Sequence, residues 1–173
     1  MGGSLHLRMF MGIKEIQRFR QWWLWLILGA IPAILAIEFY VSGQGRQEQL
    51  SGLIAAAAVP ALLMLLFAFM KLEIKADQAG IQYRFSPLLP KWVFISWNAI
   101  EEVQVRRYKP IGEYGGWGLR STRKYGRALN TSGNMGIQLM LKDGSKLLLG
   151  TQKPELWRQF LENKGGSNSD IQT

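Results

Sequence analysis

Hydrophobic and polar positions divide the chain into two regimes with different periods. From Trp22 to Val41 the residues are almost continuously apolar, and Glu38, near the far end, is the single charge. From Leu53 to Met70 there is no charge at all. A helix needs about 20 mainly apolar residues to cross roughly 30 Å of hydrocarbon. The two runs therefore predict a transmembrane hairpin over 21–71, with helices at about 22–41 and 51–70. Trp22, Trp23, Trp25 and Tyr40 bracket the first helix, and the three tryptophans are expected to anchor it at head-group depth. Pro32 and Pro60 are tolerated in such helices because neighbours re-satisfy the freed carbonyls. The short polar linker Ser42–Ser51 makes the helices antiparallel neighbours. Burying both in a soluble core would require a larger domain to cover them on all sides. A cleaved signal peptide conflicts with an apolar stretch longer than the usual ~7–15 residues and with its long basic flank.

After Lys71 the period becomes two. Lys71-Leu72-Glu73-Ile74-Lys75-Ala76 alternates strictly, as does Ile81-Gln82-Tyr83-Arg84-Phe85-Ser86, and Gln78-Ala79-Gly80 separates them as the turn of a β-hairpin. Trp92–Trp97 and Glu102–Arg106 predict two further strands, with shorter ones around Gly116–Arg120 and Gly126–Leu129. Met135–Lys142 and Ser145–Gly150 form a last hairpin, for which Asp143-Gly144 predicts a type I′ turn. Pro154 and Glu155 suit a helix start, and Leu156, Trp157, Phe160 and Leu161 supply its apolar face. The expected domain, 72–164, is mainly β: about seven antiparallel strands in a barrel or sandwich capped by a C-terminal amphipathic helix. The tail 165–173 has nothing to bury and is expected to be disordered.

Charge gives this layout an orientation. Arg8, Lys14, Arg18 and Arg20 lie in the basic segment 1–20, and Lys71 and Lys75 follow the second helix, whereas the linker carries only Arg46 beside Glu48. The positive-inside rule then puts both termini in the cytoplasm and makes the chain a multi-pass protein of the inner membrane. Cysteine is absent and His6 is the only histidine, which excludes disulfides, thiolate nucleophiles, a histidine triad and a multi-histidine metal site. No cofactor is expected. Glu101 and Glu102 are adjacent on a strand and point to opposite faces, so they make no acid–base pair. Gly115-Gly116-Trp117-Gly118 lacks the third glycine of a dinucleotide fingerprint, and no Gly-Lys-Ser/Thr follows. It is expected to be a glycine-rich turn or bulge. The sequon Asn130-Thr131-Ser132 is irrelevant on the cytoplasmic side.

The net charge is +9, from 21 Lys+Arg against 12 Asp+Glu. Its densest part is Arg106, Arg107, Lys109, Arg120, Arg123, Lys124 and Arg127, opposed within that stretch only by Glu113 and interleaved with aromatics. These seven are the candidate binding residues for an anionic surface, with Trp117 as an interfacial anchor. Near an anionic bilayer each cation contributes about 1 kcal/mol. The competing reading is a solvated face required only by topology and solubility. The isoelectric point would suit nucleic acid too, but no nucleic-acid-binding signature accompanies it.

The strings Lys14-Glu15-Ile16-Gln17, Tyr108-Lys109-Pro110-Ile111, Glu113-Tyr114-Gly115-Gly116-Trp117-Gly118-Leu119-Arg120 and Gly150-Thr151-Gln152-Lys153-Pro154 carry a resemblance to an uncharacterised bacterial membrane-protein family with a two-helix transmembrane hairpin and a pleckstrin-homology-like (PH-like) domain. The resemblance implies fold and location, and no assigned activity. The expectation is a non-enzymatic module that presents a basic cytoplasmic surface to anionic lipid head groups or a membrane-proximal partner. The alternative is an assembly subunit pairing with another membrane protein through its helices, for which Ala55-Ala56-Ala57-Ala58 offers a small-residue face.

Overall fold

The computed structural model describes residues 12–19, 21–42 and 46–169, without the side chains of 42, 46–50, 53, 55, 56 and 165–169. The chain runs β1 (Ile13–Arg18), α1 (Trp22–Ser42), α2 (Arg46–Phe69), β2 (Lys71–Ala76), β3 (Gly80–Ser86) and β4 (Leu89–Ser96). A 3-10 turn, Trp97–Ala99, leads into β5 (Ile100–Arg107), α3 (Pro110–Tyr114), β6 (Gly118–Thr122), β7 (Gly126–Asn130), β8 (Met135–Leu141), β9 (Lys146–Gly150) and α4 (Pro154–Ser169).

The first sheet, ordered β1-β2-β3-β4, is antiparallel throughout. Its β2–β3 turn forms because Asp77 Oδ1 accepts from the N–H of Ala79 (2.9 Å) and Gly80 (3.1 Å), a side chain standing in for a backbone turn. Glycine is required at position 80, where a Cβ would lie 2.2 Å from the Ile95 carbonyl oxygen. The second sheet is ordered β5-β8-β9-β7-β6, with β7 and β9 parallel. Alternation in both sheets turns one face inward: Leu72, Ile74, Ile81 and Phe85 meet Leu129, Ile137, Leu139 and Leu149 in one core. The last helix inserts Trp157, fully buried, into that core. Truncating such a side chain to alanine costs about 3–5 kcal/mol.

Several expectations change. The described residues form nine strands, in two open sheets of four and five strands instead of a closed barrel. One added strand, β1, comes from the segment expected to be only a basic arm. It escapes an alternation test because its pattern is inverted: polar Glu15 and Gln17 point inward and are buried, while Ile16 is exposed. The β8–β9 turn occurs where Asp143-Gly144 predicts it, but it is not type I′, which needs positive φ at both central residues. Only Gly144 has positive φ (81°), with hydrogen bonds Gly144 N–H to Leu141 C=O and Leu141 N–H to Ser145 C=O closing a three-residue loop. The C-terminal helix continues past 164 to Ser169, so 165–169 belong to it, and 170–173 lie outside the described residues.

The hairpin of two spans is also reduced. Among the described residues one helix, Trp22–Val41, is long and apolar enough to cross a membrane, and only 6% of that window is buried. The apolar part of α2 that qualifies as a helix is the shorter Ala57–Phe69. In the sequence the uncharged run of α2 extends from Leu53 to Met70, and positions 53, 55 and 56 within it lie outside the described side chains. The two helices nevertheless pack on each other.

Candidate functional site

The helices meet the β domain at a built junction. Phe19, between β1 and α1, packs edge-on against Phe67 of α2 at 5.1 Å between ring centroids. Gln21 Nε2 donates to the Thr131 carbonyl at 2.6 Å, and Trp23 lies 6.2 Å from Trp117. Beside these contacts is a cavity of about 360 Å³ whose wall includes Trp23, Leu24, Phe67, Ile111, Trp117 and Arg120. Its glycines close a sharp turn: Gly115 caps α3 in the left-handed region at φ 72°, and Gly116 (φ 127°) and Gly118 (φ 110°) also take positive values. The expected glycine-rich turn thus sets Trp117 between helix and strand. The indole N–H of Trp117 donates to Gly133 C=O at 3.0 Å, and Arg120 Nε donates to the Trp117 carbonyl at 3.2 Å. Gln21 Oε1 is buried beside this cavity without a hydrogen-bond partner. Trp22 is exposed and Trp25 half-buried on the same first turns of α1.

The other expected cations do not join this cavity. Arg106 is held by Glu113 (Nη2 to Oε2, 2.7 Å) and by Gln138 Oε1 (Nε at 3.2 Å). Glu113 also accepts from the Lys109 backbone N–H at 2.8 Å. The Arg106 hydrogen bond, opposed by burial, keeps the Glu113 carboxyl below its ordinary value. Arg106 and Lys109 line a second cavity, about 480 Å³, in which Glu113 offsets their charge. Tyr125, which also lines it, meets Tyr114 at a tilt, and Tyr114 meets Tyr108 edge-on, with burial pushing the Tyr108 phenol up to about 12. Arg107 is exposed at the end of β5, its Nε 3.1 Å from the Asn134 amide oxygen when that amide is turned to accept.

Arg123, Lys124 and Arg127 line a third opening, about 570 Å³, between the two sheets. Strand register separates it from the junction. Gly118 pairs with Asn130 at the end of the β6–β7 hairpin next to Thr131, which Gln21 reaches; Thr122 pairs with Gly126 at the other end, and Arg123 and Lys124 form the connecting turn. The stretch 106–127 is therefore dense in sequence and divided in space. Lys146, absent from the sequence-based candidates, joins this opening through the parallel pairing of β7 with β9. No local pattern signals that pairing.

A second feature escapes a motif search. Glu15 is buried and accepts three hydrogen bonds: from Thr151 Oγ1 (2.8 Å), the Gln152 backbone N–H (2.7 Å) and Trp157 Nε1 (2.8 Å). Gln17 Nε2 donates to Gly150 C=O at 2.6 Å. The strings Lys14–Gln17 and Gly150–Pro154 are thus one latch joining β1 to the start of α4. Among the described residues no cluster of three or more His, Asp or Glu could hold a metal ion. The small-residue face at Ala55–Ala58 includes Ala55 and Ala56, whose side chains lie outside the described residues.

Fold and junction together define a two-sheet β domain closed by a C-terminal helix and carrying an exposed apolar helix long enough to span a membrane. The chain matches no protein-family model, and no curated protein is similar to it in sequence.

Proposed function

We propose that the chain is a membrane-anchored, non-catalytic binding module of PH-like build, in which α1 and α2 cross the bilayer as a pair, their domain ends are cytoplasmic, and the junction cavity meets anionic lipid head groups. The observation that carries this reading is the cavity itself, where Arg120 and Trp117 of the β domain stand beside Trp23, Leu24 and Phe67 of the helices. A head group at that depth meets a guanidinium and two indoles, and its acyl chains continue along the apolar helix surface.

Strand pairing supports the crossing of both helices. β1 precedes α1 and β2 follows α2, yet they pair from Ile13↔Ala76 to Arg18↔Lys71. A single crossing would leave the two strands on opposite sides of the bilayer, whereas two crossings keep them together. At about 1.5 Å per residue, the 24 residues of α2 extend about 36 Å, enough for roughly 30 Å of hydrocarbon. Retention of α1 has the same support, because cleavage behind it would remove β1 and the buried Glu15 and Gln17. Lys14, Arg18, Lys71 and Lys75 flank the domain ends of the helices, which favours the cytoplasmic side for them.

The test is hydrogen exchange of segment 111–120 in the full chain, reconstituted in nanodiscs of anionic or neutral phospholipid. Protection is expected with anionic lipid only, weakening with salt and disappearing in Arg120→Glu. Equal exchange in both lipids at low salt would overturn the head-group reading.

A further inference from the structure

The opening between the sheets differs from the junction in what it can hold. Val93 on β4 pairs with the buried Tyr83, so its side chain belongs to the inner face of the first sheet, yet it is 37% exposed. The second sheet fails to cover it there. Val93, Ile95, Tyr83, Leu141 and Leu147 form an apolar floor, and Arg123, Lys124, Arg127 and Lys146 stand around it. Among the described residues no carboxyl group lines the opening. Asp143, on the adjacent turn, is occupied in accepting from the Ser145 N–H at 2.8 Å. Among the described residues β4 is the last strand of its sheet, and one side of its backbone has no strand partner there.

We propose that this cleft takes an extended acidic segment of a partner protein, added as a strand along the free edge of β4. A strand laid there points alternate side chains inward over Val93 and Ile95. Among these inward side chains, apolar ones cover the floor and acidic ones meet the four cations, which line the same opening, while the residues between them face outward. Edge pairing explains the affinity, and the alternation explains the selectivity. A bilayer lipid does not suit the site. Gly118 and Thr122 are separated by about 13 Å at about 3.3 Å per residue, which carries the Arg123–Lys124 turn a strand's length away from the helices. The proposal deepens the binding-module reading by naming a partner class, and it uses none of the residues of the junction cavity.

The test uses the full chain in nanodiscs of neutral phosphatidylcholine and a fluorescein-labelled glutamate–valine peptide that repeats valine, serine, glutamate, serine, so that valine and glutamate share one face, read by fluorescence anisotropy. Three controls accompany it: the same peptide with lysine for glutamate, the glutamate–serine peptide with serine for valine, and the glutamate–valine peptide with every second backbone nitrogen methylated. The parent peptide should bind at least about tenfold more tightly than each control. Arg123→Glu with Lys124→Glu, and separately Val93→Asp, should weaken it by about tenfold or more, while Val93→Leu keeps it. The proposal is overturned if glutamate–serine binds as well, if the methylated peptide binds as well, or if the charge reversals change nothing. Displacement of the peptide by soluble short-chain phosphatidic acid, with no difference among the peptides, would assign the cleft to an anionic lipid instead. Because the bilayer is neutral, failure of head-group binding at the junction leaves every one of these outcomes readable.

Discussion

Replacing Glu15 by alanine tests whether β1 is an integral strand, on which the argument for paired crossings depends. The substitution strands three donors. Trp157 Nε1 is enclosed, since the ring is fully buried, and an unsatisfied buried donor costs about 1–3 kcal/mol. Thr151 Oγ1 and the Gln152 N–H (the latter only partly buried) each lose a hydrogen bond worth about 1 kcal/mol. Alanine in turn avoids the dehydration of a buried carboxyl group, which offsets about 1–2 kcal/mol. The net loss is about 2–3 kcal/mol, or roughly 5–10 °C in thermal midpoint for a chain of this size. The assay is thermal unfolding of the detergent-solubilised full chain followed by near-ultraviolet circular dichroism. Leu156→Ala, exposed on the same helix, is the control and should move the midpoint by no more than about 1–2 °C. A Glu15→Ala midpoint equal to that of the control would refute the latch.

Two further outcomes follow from local geometry. The Glu113 carboxyl is held low by Arg106, so its stabilising contribution is complete above the ordinary value of 4.5 and drains as pH falls through its lower folded value. The midpoint difference between wild type and Glu113→Gln should accordingly be constant above about pH 5 and shrink in acid; a difference that grows in acid contradicts the pairing. Gly126→Ala puts a Cβ 2.2 Å from the Lys146 carbonyl oxygen at φ 79°, whereas Gly133→Ala, at φ 78°, meets nothing within 4 Å. Both pay about 1–2 kcal/mol for the left-handed backbone, so the larger melting loss expected at Gly126 isolates the clash, and equal losses would disprove it.

The sequence was most legible where one side of an element faces the core and the pattern is local. Leu72, Ile74 and Ala76 against Ile81, Tyr83 and Phe85 announce the β2–β3 hairpin, and Pro154-Glu155 opens α4 where expected. It was least legible at β1, where the inward positions are Glu15 and Gln17. Those residues read as a solvated arm until Thr151, Gln152 and Trp157 are seen to satisfy Glu15 from the far end of the chain. The basic stretch misleads for a related reason. Proximity in sequence implies a patch only if the backbone does not travel, and here it travels along β5, α3, β6 and β7. Arg106 is then spent on Glu113 and Gln138, and Lys146 arrives through a parallel pairing that no neighbouring residue encodes.

The β6–β7 hairpin spans the two places among which these cations are dispersed. Its open end, at Gly118 and Asn130, is fixed to the helices through Trp117 against Trp23 and Thr131 against Gln21. Its turn carries Arg123 and Lys124 to the far side of the sandwich, beside the uncovered Val93. If the chain is anchored as proposed, a ligand within the bilayer surface would engage Arg120 and not the turn, while a soluble acidic segment would engage the turn without approaching the bilayer. Arg120, Arg123 and Lys124 all belong to one hairpin, whose ends are set by the pairing of Gly118 with Asn130 and of Thr122 with Gly126. On the proposed reading, occupancy at the junction would hold the cleft at a defined height and orientation above the membrane, the advantage that a binding module would gain from an anchor continuing directly into its sheet.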